Sequence, residues 1–155
     1  MMKFVFGVLI FVLINFLGLL FGAIYTRIGA SSIWYQELNK APWTPPGYLF
    51  GLFWLFIMIC FGFYMSKLYT DSKSKKEIFI LFIVQWFLNF IWNPIFFYFR
   101  NIEIGLILIL CLTSIIFFFL YRYYKLIKLW SIFILPYFLW LLIASSLNIY
   151  IYLFN

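Results

Sequence analysis

Three side-chain amides recur at helical spacing within an otherwise apolar stretch. Gln85, Asn89 and Asn93 are four residues apart, which places them on one helix face. Amides facing lipid would be costly, so this face must point into a helix bundle. Interhelical hydrogen bonding would be enough to explain Gln85 and Asn89. Pro94 removes a backbone donor beside Asn93, and this predicts a kink or a cavity there.

Deep tryptophans accompany these amides. Trp54, Trp92 and Trp140 lie too far inside apolar runs for an interfacial aromatic belt, so they either line a pocket or simply pack. At 1.5 Å per residue, Trp54, Asn93 and Asn148 fall roughly 8 to 11 Å below one membrane surface. They should therefore converge in the same half of the bundle. Pro136 predicts that the last helix is kinked.

Ionisable chemistry is sparse. The chain has no histidine, and its four acids lie in loops or at helix ends. No charge sits at mid-bilayer depth for a proton relay or a voltage sensor. Cys60 and Cys111 are isolated in apolar sequence. A histidine-based triad, a two-carboxylate site and a metal site are therefore not expected, and aromatic and neutral polar chemistry remains.

The composition requires a membrane to position these residues. Hydrophobic residues make up 68% of the 155 and charged residues only 10%, far from a soluble domain. The apolar runs are too long and too uniform for barrel strands. We predict an all-α, single-domain protein over residues 1–155, with five transmembrane helices at about 4–26, 47–69, 78–99, 104–121 and 131–153. The first run could instead be a cleaved signal peptide, which begins with a similar basic residue and apolar stretch. A transmembrane helix is favoured, because the run is long and no small-residue cleavage site follows it before Arg27.

Residues 27–46 form the longest polar interruption, and they predict a lid over one end of the bundle. Pro45 and Pro46 stiffen this segment before Gly47. Five helices would place eight of the eleven lysines and arginines on the side of the N-terminus, and only Arg27, Lys40 and Arg100 on the lid side. The positive-inside rule then predicts an N-terminus inside and a C-terminus outside. The net charge of +7 reflects this bias and suggests anionic lipid rather than nucleic acid as its partner.

Motifs spread along almost the whole chain resemble the TspO/MBR family, which comprises the tryptophan-rich sensory proteins and the translocator (peripheral benzodiazepine receptor) proteins. The resemblance is carried by Trp34-Tyr35-x-x-Leu38-x-Lys40, Trp43-Thr44-Pro45-Pro46, Trp54, Asn89-x-x-Trp92-Asn93, Leu135-Pro136-Tyr137-x-x-Trp140 and Ala144-x-x-Leu147-Asn148. Their order and spacing agree with that family.

The resemblance implies a pocket that binds protoporphyrin IX and related flat hydrophobic ligands, with no other cofactor. Its ligand-binding residues would be Tyr35, Trp54, Met58, Asn93, Phe96, Trp140, Ala144 and Leu147, and its lid would include Trp34, Lys40, Trp43, Pro45 and Pro46. A bacterial cytoplasmic membrane is the expected location. Two departures stand out. Ala41 occupies a position that is commonly proline in the family, and no basic residue follows Tyr150 and Tyr152, which disfavours a sterol ligand.

Three classes of function remain open from the sequence. A receptor or carrier needs no ionisable catalyst and fits a neutral aromatic pocket. A light-dependent porphyrin-degrading enzyme would use Trp54 and Trp140 as its catalytic residues. A structural or regulatory membrane protein would use the small-residue stripe of Gly18 and Gly22, which suits close helix packing or a homodimer.

Overall fold

The computed structural model describes residues 2–155, which form helices and connecting turns with no strand among them. The helices are α1 (Met2–Ala30), α2 (Ile33–Glu37), α3 (Gly47–Asp71), α4 (Lys75–Asn93), α5 (Ile102–Ile127) and α6 (Leu135–Phe154). A π-helical turn, Pro94–Tyr98, continues α4, and a 3-10 segment, Lys128–Ile134, leads into α6. Five helices are long and α2 is short, so the expected all-α membrane bundle is confirmed.

The last two long helices follow one another without a break in helical structure. By length and composition alone, Ile102–Phe154 counts as one apolar span of 53 residues. The chain nevertheless turns at Lys128, whose φ is 47°. The hydroxyl oxygens of Thr113 and Ser145 then lie 3.0 Å apart across the α5–α6 contact. The span is therefore two antiparallel crossings, and the chain crosses five times.

The two prolines within apolar runs have different consequences. At Pro94 the ladder opens into the π turn, in which the Phe99 amide donates to the Pro94 carbonyl at 3.0 Å, as the sequence predicted. The kink expected within the last helix is wrong. Pro136 lies in the first turn of α6, where a missing amide proton costs no intrahelical hydrogen bond.

Most helix ends lie beyond their predicted positions. α1 continues from Thr26 to Ala30, and α5 extends to Ile127 rather than 121. The lid therefore begins later than residue 27 and contains α2. Polar residues at these ends remain helical because a long apolar helix can extend past the hydrocarbon into the interface.

Glycines on α1 let neighbouring helices approach closely. A Cβ at Gly18 would lie 2.7 Å from the Trp86 indole nitrogen, and one at Gly22 would lie 2.7 Å from the Asn93 amide. The stripe therefore packs against α4 within the chain. At the end of the bundle away from the lid, aromatic rings such as Phe61, Phe82 and Tyr137 fill the core.

Candidate ligand-binding cavity

A cavity of about 830 Å³ lies at the lid end of the bundle, between α1, α3, α4, α6 and the lid. Many of the residues proposed from the sequence meet there. Tyr35, Trp54, Asn93, Phe96, Trp140, Ala144 and Leu147 line the cavity, together with Lys40 and Pro45 of the lid. Chain segments more than a hundred residues apart thus contribute to one wall.

Four of the proposed residues do not line the cavity. Met58 is only 1% exposed and packs into the core one helical turn beyond Trp54. Its position on the inner side of α3 makes it a packing residue in this structure. Trp34, Trp43 and Pro46 belong to the lid but lie outside the cavity wall.

Aromatic contacts hold the three deep tryptophans in place. The Trp92 ring stacks on Phe96 with centroids 4.9 Å apart. Trp140 stacks on Phe53 at 4.8 Å, and Trp54 meets Tyr137 edge to face at 5.7 Å. All three tryptophans line the cavity, so its walls present indole surface that is already fixed by packing.

The amide face of α4 serves two purposes. Deep in the core, the Tyr137 hydroxyl donates to Gln85 Oε1 at 3.2 Å, which is an interhelical hydrogen bond. Nearer the lid, Asn89 and Asn93 line the cavity. The Thr26 hydroxyl donates to Asn93 Oδ1 at 2.7 Å and orients this amide. The prediction that the amides face the interior is confirmed.

Two buried polar atoms of the cavity wall lack a hydrogen-bond partner within residues 2–155. They are Trp92 Nε1, a donor, and Asn148 Oδ1, an acceptor. Asn148 is 5% exposed, and its Nδ2 already donates to the Ala144 carbonyl at 2.9 Å. Leaving such groups unpaired costs about 1–3 kcal/mol each.

The rim beneath the lid is positively charged. Arg27, Gln36 and Lys40 line the cavity at this end. Lys40 Nζ donates to the Gln36 carbonyl at 3.2 Å and lies 4.7 Å from the centroid of the Tyr35 ring. Burial raises the pKa of the Tyr35 phenol, which stays neutral. Arg100 instead packs over Trp34 and does not line the cavity.

The lid is attached to the end of α6. The Asn39 amide donates to Asn155 Oδ1 at 2.8 Å, and Asn155 Nδ2 donates to the Asn39 carbonyl at 3.3 Å. Nearby, Trp43 Nε1 donates to Ser146 Oγ at 3.1 Å. The turn after Ala41 is closed by the Thr44 amide and hydroxyl, which both donate to the Ala41 carbonyl. Alanine at this position is thus compatible with an ordered lid.

Several wall residues are apolar and were not singled out by the sequence. Leu20, Phe50, Leu55 and Ile151 line the cavity, but in an almost uniformly apolar chain their residue type carries no signal. Among residues 2–155, no group of three or more His, Cys, Asp or Glu side chains is arranged to hold a metal ion.

Fold and site together define a five-helix membrane protein with a lidded aromatic cavity. Comparisons with known proteins identify the class. The TspO/MBR family model matches residues 10–153, and the chain belongs to this family.

Relatives in different domains of life support the assignment. The "Tryptophan-rich protein TspO" of Archaeoglobus fulgidus is 34% identical over 128 residues, covering 79% of this chain and 80% of the relative. The "Translocator protein" of Bos taurus is 30% identical over 142 residues, covering 89% and 83%. "Protein CrtK" of Rhodobacter capsulatus is 25% identical over 126 residues, covering 79% and 78%.

Proposed function

We propose that this protein is a membrane receptor or carrier that binds protoporphyrin IX and related flat hydrophobic ligands in the cavity under the lid. The proposal rests on the cavity itself. Its volume of about 830 Å³ lies within the range of small-molecule sites, roughly 300–1,000 Å³. A macrocycle stacked on the indoles would gain about 0.5–1.5 kcal/mol per aromatic contact beyond area burial. The name "Tryptophan-rich sensory protein", given to a relative in Cereibacter sphaeroides, is in keeping with a receptor.

The charged rim suggests how a porphyrin would be oriented. Its two propionates need cations or water, and Arg27 and Lys40 are the cations at the cavity wall. The apolar macrocycle would then lie deeper, beside Trp54 and Trp140. Of the three lid-side cations, Arg100 is the least suited, because it does not line the cavity.

The proposed setting is a bacterial cytoplasmic membrane with the N-terminus inside. The positive-inside rule supports this orientation, because the loops opposite the lid carry most of the lysines and arginines. The lid and the cavity would then open toward the outer face. The function would fit stress signalling or porphyrin homeostasis.

Titration of the purified protein with protoporphyrin IX in darkness tests the binding. We expect saturable quenching of tryptophan fluorescence, because three indoles line the cavity. The double variant Trp54→Phe, Trp140→Phe should show weaker quenching but retain saturable binding detected by porphyrin absorbance. Linear, non-saturating quenching by the native protein would refute the proposal.

Light-driven breakdown of the bound porphyrin is the second candidate. It is favoured by one observation, that Trp54 and Trp140 both line the cavity. An indole beside a photoexcited macrocycle can donate one electron to it, which leaves an indole radical cation and a reduced macrocycle. This transfer breaks no bond, so ring opening would also need dissolved dioxygen, which accepts the electron from the reduced macrocycle and supplies the oxygen atoms added to the ring. Under illumination, the same double variant should lose bleaching of the porphyrin while binding persists. An unchanged porphyrin spectrum in the illuminated native protein would exclude light-driven breakdown, and binding as a receptor or carrier would be the remaining function.

A further inference from the structure

Helices α1 and α3 are in close contact at the end of the bundle away from the lid. A Cβ at Gly62 would overlap the Val12 side chain, and a Cβ at Gly7 would lie 2.5 Å from Ser66 Oγ. The Ser66 hydroxyl also donates to the Phe4 carbonyl at 2.6 Å. These contacts fix the register of two antiparallel helices.

The register shows which residues are level nearer the lid. Val12 and Gly62 are level with each other. Ala23 lies eleven residues further along α1 and Gly51 lies eleven residues earlier in α3, so these two residues are level as well. A count of fifteen residues in the same two directions makes Arg27 level with Gly47. Helices in contact here would bury these positions. Instead, Ala23, Arg27, Gly47 and Gly51 are all exposed. Apart from the adjoining residues and backbone of α3 itself, no atom of residues 2–155 lies within 4 Å of a Cβ built at Gly47 or Gly51.

The space between these two stretches is continuous with the cavity. Ala23, Arg27, Gly47 and Gly51 all line it. So do two leucines on the flanks, Leu20 and Leu55, which are 65% and 49% exposed. Gly51 and Leu55 lie about 6 and 12 Å along α3 from its first residue, within the lid-side half of a hydrocarbon core about 30 Å thick. We name this opening the side gap, bounded by Leu20 to Arg27 and Gly47 to Leu55.

We propose that the cavity exchanges its ligand directly with the lid-side leaflet of the bilayer through the side gap, and that the missing side chain of Gly51 keeps this route open. The proposal rests on the proposed ligand-binding function and adds the route and the ligand class. The ligand would be a membrane-dissolved amphiphile whose flat apolar body passes Leu20 and Leu55. Its anionic groups would stay near Arg27, at the polar end of the gap. The lid, which is held to α6 by the Asn39–Asn155 hydrogen bonds, would stay closed during exchange.

Exchange rates in lipid nanodiscs test the route. Stopped-flow tryptophan quenching gives the association rate of protoporphyrin IX, and dilution into empty vesicles gives its dissociation rate. Gly51→Leu should fill the gap and slow both rates by about tenfold, so that Kd changes less than either rate. Leu55→Ala should widen the gap and accelerate both. Leu52→Phe is the matched control, since Leu52 is 61% exposed on the same helix but does not line the cavity.

A crosslinked lid tests the competing route, in which the ligand enters and leaves the cavity past an opened lid. Asn39→Cys and Asn155→Cys, joined by a short thiol crosslinker in a Cys60→Ala, Cys111→Ala background, should leave both rates at the values of the uncrosslinked protein. Blocked exchange in the crosslinked protein, with native rates in Gly51→Leu, would overturn the proposal. So would a Gly51→Leu variant in which only dissociation accelerates, because the new side chain would then disturb the bound ligand rather than its route.

Failure of binding itself has a different signature. If the native protein shows no saturable quenching, the proposed porphyrin function fails. The same variants can then be compared with the neutral lipid-soluble dye Nile red, whose exchange should also slow in Gly51→Leu and accelerate in Leu55→Ala. Equal exchange rates of the dye in both variants and in Leu52→Phe would overturn the proposal that ligands exchange through the side gap.

Discussion

Replacing Asn155 by alanine should loosen the lid without unfolding the bundle. The side chain of Asn155 accepts from the Asn39 amide at 2.8 Å and donates to the Asn39 carbonyl at 3.3 Å. Both bonds are exposed, so water competes for them and each is worth only about 0.5 kcal/mol. A third bond, from Asn39 Nδ2 to the Phe154 carbonyl at 2.9 Å, uses the backbone and survives the change.

The loss of about 1 kcal/mol corresponds to a roughly fivefold rise in the population of the open lid. Hydrogen–deuterium exchange measured by mass spectrometry should therefore show about fivefold faster exchange at the Asn39 amide. Peptides from α5 should be unchanged, because no lid contact to that helix is lost. The melting temperature should stay close to that of the native protein.

Asn155→Asp is the matched variant, because a carboxylate can still accept from the Asn39 amide but cannot donate. It should give an intermediate exchange rate. Native exchange at Asn39 in the alanine variant would show that these two hydrogen bonds do not hold the lid. Faster exchange throughout the bundle would show instead that the end of α6 stabilises the whole fold.

Two further predictions concern charge and packing. Arg27→Glu combined with Lys40→Glu should weaken binding of protoporphyrin IX by roughly tenfold at low salt, measured by tryptophan quenching. Binding of the uncharged dimethyl ester of this porphyrin should be unchanged. Equal losses of affinity for both ligands would contradict the proposed orientation of the propionates. Gly29→Ala should destabilise the protein by about 1–3 kcal/mol, seen as a lower melting temperature in detergent, because the new Cβ would overlap Phe97. Gly47→Ala is its control, since no described atom beyond the adjoining part of α3 lies within 4 Å of that Cβ. A similar melting temperature for both variants would argue against the overlap.

The sequence predicted much of the cavity wall because polar and aromatic residues stand out in an apolar chain. Asn93 and Trp140 were recognisable by type and depth, and both line the cavity. Met58 lies four residues after Trp54 and therefore on the same face of α3, but it packs into the core. Spacing alone does not reveal how far a cavity extends along a helix face. Leu20 and Leu55 resemble any other apolar residue in the sequence, so their place at the side gap could not be predicted.

The order of apolar runs and of the charged and turn-forming residues between them predicted by itself a helical membrane protein with five crossings and a polar lid segment. This follows from transfer free energies and from backbone hydrogen bonding in lipid, which depend on residue type and on the length of each run. Only the tertiary structure decided where α1 and α3 touch, how Asn39 meets Asn155 and which faces enclose the cavity. These features depend on distances between residues far apart in the chain, and side-chain packing between helices sets those distances.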